Sequence, residues 1–216
     1  MASAAVPSAT KERILEAAED LFVQRGFAAA SLRAVTSAAG VNLAAVHYHF
    51  RSKEGLFEAV VQWRIAPVTQ EQLKRLERLE AQVGAETPSV EEILEAYLAP
   101  VLTTWQDQPS VPRLVGRLYG EPHSLVHPLL ERAFGDLGRR FLATLIRAVP
   151  GVDPVELMWR FLFTIGALVH MVTIEVPVEL LPGVARGDES PARLLDRLVR
   201  FAAAGLRGDS TRETGP

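Results

Sequence analysis

The chain has 216 residues, a formal net charge of −3 and a hydrophobic content of 48%. These values are typical of a globular protein with one or two domains and an apolar core. Cysteine is absent, which excludes disulfides, thiolate nucleophiles and cysteine-ligated metal centres.

Charge is unevenly distributed along the chain. Residues 31–64 carry four basic and two acidic side chains, whereas residues 67–216 carry 16 basic and 20 acidic ones. The first segment is therefore slightly positive and the second is negative. This balance excludes a uniformly basic polyanion-binding protein. Any binding of nucleic acid is expected in an N-terminal module.

The N-terminal residues 1–9 predict a flexible tail, and they lack the basic and apolar regions of a secretory signal. The longest uncharged apolar stretch runs from Phe161 to Ile174 and contains 14 residues. A membrane-spanning helix needs roughly 20 apolar residues. The stretch therefore predicts a buried helix, and we expect no membrane association and a cytoplasmic location.

Helices are predicted from the start of the chain onward. The first begins with Thr10 as N-cap, shows apolar residues at a spacing of three to four, and ends at Gly26. Ser31 begins a short second helix that Gly40 stops, and Asn42 begins a third helix two residues later. The pattern predicts three closely packed helices.

A fourth helix is predicted from Ser52 to a break or kink at Pro67. The segment 172–181 is the nearest approach to a strand, and Pro177 argues against one. The predicted fold is therefore all-α, with a flexible tail at 208–216. The remaining predicted helices cover 69–83, 89–106, 110–121, 126–149, 154–176 and 190–207.

The second and third helices, joined at Ala39-Gly40-Val41, predict a helix-turn-helix. Gly40 permits the positive φ that the corner needs, and Val41 and Val46 are expected to pack against the first helix. A helix with small residues near its start fits into the major groove of DNA. The residues left facing outward are Asn42, Leu43, Ala45, His47 and Tyr48.

Each outward side chain has chemistry that suits DNA. Asn42 can hydrogen-bond a base or a phosphate, and Leu43 and Ala45 can contact thymine methyl groups. His47, Tyr48 and Lys53 suit phosphates, which position a protein on DNA without specifying sequence.

The run from Ser31 to Leu56, SLRAVTSAAGVNLAAVHYHFRSKEGL, resembles the DNA-binding signature of the TetR family of transcriptional regulators. The segment Val41–Tyr48, with Ile65-Ala66-Pro67, is similar to a CecR-like subgroup. His47 departs from the family's usual tyrosine, and Ala44 from a common glycine. The DNA-binding residues predicted on this basis are Ser31, Arg33, Asn42, Leu43, Ala44, Ala45, His47, Tyr48, His49 and Lys53.

The resemblance implies two domains, a helix-turn-helix domain at 10–60 and a helical domain for dimerisation and ligand binding at 61–207. In the family, the last two long helices pair with those of a second copy. An apolar stripe runs along each of these helices here, Leu157 to Val172 and Leu194 to Leu206. Packing within one chain is the alternative interpretation of these stripes.

Large or polar residues on otherwise apolar helices are the candidates for binding a small molecule. Arg117 and Glu121 are four residues apart and share a helix face, so a surface pair is their alternative interpretation. His170 could equally be a core or interface histidine. The candidates are Tyr97, Trp105, Arg117, Glu121, Met158, Phe161 and His170.

The resemblance therefore implies a homodimeric repressor that a small molecule releases from a palindromic DNA operator, although the sequence does not exclude activation. Two other functional classes remain open, namely an enzyme and a protein-binding module. Glu121, His123 and His127 form a loose group of metal-ligand types, but the HExxH pattern is absent. No catalytic residue, metal or cofactor is predicted. The helix-turn-helix surface could instead bind another protein.

Overall fold

The computed structural model describes residues 9–108, 110–118, 120–173 and 190–208, and all regular elements in these ranges are α-helices. The all-α fold is thereby confirmed. The helices are α1 Ala9–Ala29, α2 Leu32–Ala39, α3 Leu43–Phe50, α4 Lys53–Val83, α5 Val90–Asp107, α6 Ser110–Leu118, α7 His123–Ala148, α8 Pro154–Thr173 and α9 Pro191–Arg207.

Two compact units make up the chain. The first unit contains residues 1–67 and 110–133, and the second unit contains residues 68–109 and 134–216. The division differs from a simple N-terminal and C-terminal split, because α6 and the start of α7 belong with the first three helices. Helices α4 and α7 each contribute residues to both units.

The first unit is built around α1, which packs against α2 and α6, while α2 packs against α3. Val35 and Val46 are both buried, so the inward faces of α2 and α3 are those that the sequence predicts. The Phe22 and Phe57 rings meet edge to face, with centroids 4.9 Å apart. This aromatic contact joins α1 to α4 in the middle of the unit.

The second unit has a core shared by α5, α8 and α9, which pack against one another. The Tyr97 ring lies 5.0 Å from that of Phe141 and 5.1 Å from that of Phe161, both edge to face. The predicted stripes on α8 and α9 mostly face this core. The buried stripe residues are Leu157, Phe161, Leu168, Val172, Leu198, Ala202 and Leu206. Packing within one chain is therefore the interpretation that the structure supports for them.

A polar network links α4 to α7 in the second unit. Glu80 accepts hydrogen bonds from Arg140, Thr144 and Arg147 at 3.0–3.1 Å. Burial raises the pKa of the Glu80 carboxyl, but these hydrogen bonds and the two guanidinium charges outweigh that effect and lower the pKa overall. The ion pairs of Glu80 with Arg140 and Arg147 therefore persist to a lower pH than the ordinary pKa of a glutamate would allow.

Of the break or kink predicted at Pro67, the break is wrong, because α4 is one helix from Lys53 to Val83 with Pro67 inside it. A proline inside a helix loses a hydrogen bond and crowds the carbonyl of the residue four positions earlier, at a cost of about 3 kcal/mol. Ile65 and Leu76, on either side of it, are almost fully buried. Their packing offsets this cost. The division between the two units falls directly after Pro67.

Helix α8 differs from the predicted buried helix, because one of its faces is exposed. Trp159 is 50% exposed and Phe163 is 67% exposed, although Leu157 and Phe161 on the opposite side are buried. By length and composition alone, α8 is apolar enough to cross a membrane. The predicted helix continuation at 174–176, and the strand candidate beyond residue 173, lie outside the described residues.

Candidate DNA-binding surface

The helix-turn-helix is held by three local caps, all of which the sequence predicts. The Ser31 hydroxyl accepts a hydrogen bond from the Ala34 amide at 3.1 Å, and the Asn42 Oδ1 accepts one from the Ala45 amide at 2.9 Å. Each satisfies an amide that the helix start leaves unpaired. Gly40 ends α2 in the left-handed conformation, with φ 62°. These contacts fix the angle between α2 and α3.

A second glycine allows α4 to begin close to the end of α3. A Cβ atom on Gly55 would lie 2.2 Å from the backbone oxygen of Phe50. Any side chain at this position would push the two helices apart. The Gly55 amide also donates to the Ser52 hydroxyl at 3.0 Å. Nothing in the residue pattern singles out Gly55, because the need for glycine arises from this close approach in the folded chain.

One side of α3 is open to solvent, and we call it the exposed face. It consists of Leu43, Ala44, His47 and Tyr48, which lie at the i, i+4 spacing of two adjacent helix rows. Tyr48 is 84% exposed and Leu43 is 41% exposed, although both are large and apolar. Val46 and Phe50 on the opposite side are buried in the first unit. The packing therefore leaves Leu43 and Ala44 of the predicted base-contacting residues exposed, whereas Ala45, which was predicted to face outward, is partly buried.

The predicted polar contacts lie around this face, but several of them already have partners within the chain, the Ser31 hydroxyl among them. The Asn42 Oδ1 caps α3, which leaves the amide nitrogen as its free donor. Lys53 Nζ donates to the Ala28 carbonyl at 3.1 Å and lies 4.5 Å from the centre of the Phe27 ring. An ammonium has three protons, so Lys53 can hold the end of α1 and still donate to a phosphate. Ser31 and Arg33 are exposed, and His49 is partly exposed.

Arg117 and Glu121, predicted as ligand-binding residues, are used elsewhere in the first unit. Arg117 Nε donates to the Val23 carbonyl at 2.9 Å, and Glu121 Oε1 accepts from the Phe27 amide at 2.7 Å. Both contacts are at the end of α1, where Gly26 interrupts the helix with φ 77° and ψ 170°. The interruption leaves carbonyls and an amide without helical partners, and these two side chains satisfy them.

The other predicted ligand-binding residues divide between the core and the surface of the second unit. Tyr97 and Phe161 lie together in the aromatic core, and Trp105 packs against it. Met158 is partly buried. His170 is exposed, because it follows Trp159 and Phe163 along the open side of α8. Only the buried members of the set are placed to meet a molecule inside the unit.

Sequence reasoning missed Gln72, which is only 1% exposed in the second unit. Its Nε2 donates to the Tyr97 carbonyl at 2.6 Å, and its Oε1 has no hydrogen-bond partner. The bond to a carbonyl fixes the orientation of the amide, since an oxygen in the Nε2 position would face another acceptor. A buried amide oxygen without a donor is costly. The Gln72 Oε1 can therefore still accept a hydrogen bond beside the aromatic core.

The metal-ligand group that the sequence left open is not assembled. The His123 and His127 rings lie near each other, with centroids 5.0 Å apart, whereas the Glu121 carboxylate is bonded to the Phe27 amide. In the part of the chain that the structure describes, no group of three histidine, aspartate or glutamate side chains is arranged to hold a metal ion.

Two family models match the chain. Residues 14–60 match the model described as bacterial regulatory proteins, tetR family, and residues 95–205 match the tetracyclin repressor-like C-terminal domain. The second match alone covers more than half of the sequence.

Curated relatives and solved structures agree with these models. The transcriptional dual regulator CecR of Shigella flexneri is 32% identical, with 88% of this chain and 87% of CecR covered. The probable regulator YttP of Bacillus subtilis is 44% identical over 52 residues, which is about a quarter of either chain. The fatty acid degradation regulator FadR of Bacillus halodurans has the same fold, with a TM-score of 0.65 at 15% identity over 94% of this chain and 98% of FadR.

Proposed function

Because this chain belongs to the TetR family of DNA-binding transcriptional regulators, we propose that it is a cytoplasmic homodimeric repressor whose operator binding is controlled by a small molecule. The observation that carries the proposal is the exposed face of α3, held in position by the Ser31 and Asn42 caps. Repression is favoured by the tetracyclin repressor-like model of the second unit.

Tyr48 provides the clearest test of DNA binding, because its side chain is 84% exposed and its ring lies against that of the neighbouring His49 rather than in the core. Tyr48→Ala is expected to weaken binding to operator DNA by about 5- to 150-fold, the value of one good groove contact. The melting temperature should stay near that of the unchanged protein. The operator is first obtained by selecting bound fragments of the source genome, and affinity is then measured by gel shift.

The matched control is Arg78→Ala, which removes a side chain that is 66% exposed in the second unit. We expect this variant to keep the affinity of the unchanged protein. Failure of the unchanged protein to retain any genomic fragment at low salt would contradict DNA binding. Equal affinities of Tyr48→Ala and the unchanged protein would exclude α3 as the binding element and favour its use in contacts with another protein.

We assign the effector to the aromatic core of the second unit, where Tyr97, Phe141 and Phe161 meet. These rings suit an apolar molecule. The unpartnered Oε1 of Gln72 supports a ligand that also carries one hydrogen-bond donor. An effector acts only through its higher affinity for the state that does not fit the operator.

A pair of probes tests this effector class. 4-Pentylphenol has the apolar body and a donor, whereas 4-pentylanisole has a similar body and no donor. We expect the phenol to bind about 3- to 10-fold more tightly, the value of one buried hydrogen bond, and Gln72→Leu to abolish the difference. Calorimetric titration measures both affinities. Equal binding of the two probes to the unchanged protein would contradict the role of Gln72, and no binding of either would contradict an apolar site.

A further inference from the structure

The backbone after α3 makes an unusual turn. Arg51 has φ 67° and ψ −48°, and among the described residues no other non-glycine residue has a positive φ. The Ser52 amide donates to the Phe50 carbonyl at 2.8 Å, which closes a three-residue γ-turn around Arg51. This form of the γ-turn is rare and strained, and such strain costs about 1–3 kcal/mol. The turn therefore needs a compensating contact.

The turn directs the Arg51 carbonyl to His47. His47 Nδ1 lies 2.9 Å from that oxygen, and the Arg51 amide donates to the His47 carbonyl at 3.0 Å. A carbonyl oxygen can only accept a hydrogen bond, so Nδ1 must carry the proton. In the neutral imidazole the other nitrogen, Nε2, is then an acceptor. The turn thus selects one tautomer of His47.

His47 occupies the exposed face of α3, one helical turn after Leu43 and beside Tyr48. A neutral ring with this tautomer cannot donate to a phosphate, because Nε2 carries no proton and Nδ1 is engaged. In the major groove, the hydrogen-bond donors are the amino groups of cytosine N4 and adenine N6. In its neutral form the ring therefore favours a base over the DNA backbone.

We propose that His47 is a sequence-specificity residue whose Nε2 accepts a hydrogen bond from a cytosine or adenine amino group in each operator half-site. The inference rests on the proposed function, since it requires α3 to enter the major groove. It replaces the phosphate contact that the sequence predicts for His47. Arg51 acts as a positioning residue, because its carbonyl holds the ring.

The main test compares base preferences, obtained by selecting random DNA with the full-length protein. His47→Ala should lose preference at a single base-pair position in each half-site, by about 5- to 150-fold. His47→Lys, which can only donate, should shift that position towards guanine. A uniform loss of affinity with unchanged preferences, together with a smaller salt dependence, would overturn the proposal and assign His47 to a phosphate.

Arg51 offers a matched pair of variants that separates the turn from the charge. Arg51→Gly and Arg51→Val both remove the guanidinium, but only glycine adopts a positive φ without strain. We expect Arg51→Gly to keep the preference at the His47 position and Arg51→Val to lose it. Equal preferences in the two variants would overturn the positioning role.

The tautomer can be measured without DNA. In ¹⁵N-labelled protein at pH 8, NMR should show His47 with a protonated Nδ1 and an unprotonated Nε2, and Arg51→Gly should give the same spectrum. A protonated Nε2 would overturn the proposal. This measurement also separates failure of the proposed function from failure of the inference about His47. If the protein binds no DNA but His47 has the expected tautomer, the DNA-binding function is contradicted and the role of the turn is not.

Discussion

Replacing Arg64 with alanine is expected to reduce the free energy of unfolding by about 3–5 kcal/mol, the usual cost of removing one partner from a buried ion pair. Arg64 Nε donates to Glu19 Oε2 at 2.8 Å, and the Glu19 side chain is only 3% exposed. Without the guanidinium, a carboxylate remains in the interior of the first unit with no opposite charge. The pair joins α1 to α4, so its loss weakens the contact between two helices that position α2 and α3, although the Phe22–Phe57 contact remains.

Water cannot easily solvate the Glu19 carboxylate once the Arg64 guanidinium is removed. The second carboxylate oxygen of Glu19 is already buried without a partner, and the Arg64 guanidinium lies 3.7 Å from the centre of the Trp63 ring. Arg64→Ala therefore also removes a cation–π contact, worth about 0.5–2 kcal/mol. Urea denaturation, followed by circular dichroism, measures the change in stability.

Two further variants make the measurement decisive. Arg200→Ala removes an exposed pair with Asp196, in which both side chains are more than half exposed, and its cost should be at most about 1 kcal/mol. The double variant Glu19→Leu, Arg64→Met removes both charges and should recover most of the lost stability. If Arg64→Ala cost no more than Arg200→Ala, the pair would contribute nothing to the first unit.

The features that the sequence predicted correctly depend on short-range chemistry. Ser31 and Asn42 cap helices through the amide three residues later, and Gly40 adopts the left-handed conformation that ends α2. Each of these contacts is determined within four residues, so the residue type and the spacing are sufficient. The inward positions of Val35 and Val46 follow in the same way from helical periodicity.

The features that it missed depend on contacts that spacing does not encode. Arg117 and the Val23 carbonyl are 94 residues apart, so the i, i+4 relation of Arg117 to Glu121 suggested the wrong partner. The break predicted at Pro67 ignored the buried residues on both sides of it. The tautomer of His47 depends on one backbone angle at Arg51, and no residue type other than glycine signals a positive φ.

The interface of the proposed dimer illustrates the same limit. The apolar stripes on α8 and α9 are mostly core, so they do not identify the surface that meets a second copy. The structure exposes four residues at helical spacing along the open side of α8, together with Phe201, a member of the α9 stripe. They are Val155, Trp159, Leu162, Phe163 and Phe201. Large exposed apolar groups of this kind mark protein contact sites, and in this family the two helices pair with a second copy.

Phe163→Glu is accordingly expected to convert the dimer into monomers and to weaken operator binding by about 100-fold or more. Phe163 is 67% exposed and its ring centre is 6.2 Å from that of Trp159, so a second copy would bury both rings. A carboxylate there would be buried without a partner. Two copies linked in a dimer bind the operator about 10²–10⁴ times more tightly than one copy does. A monomer loses this gain.

Sedimentation velocity measures the assembly state, and gel shift on the full operator and on a single half-site measures binding. Phe163→Glu should weaken binding to the full operator and leave half-site affinity nearly unchanged, because α3 lies in the other unit. The matched control is Ile146→Glu, which places the same charge on an exposed apolar residue of α7. A Phe163→Glu protein that remained dimeric would exclude this side of α8 as the interface. Monomers with undiminished affinity for the full operator would show that each copy binds DNA independently.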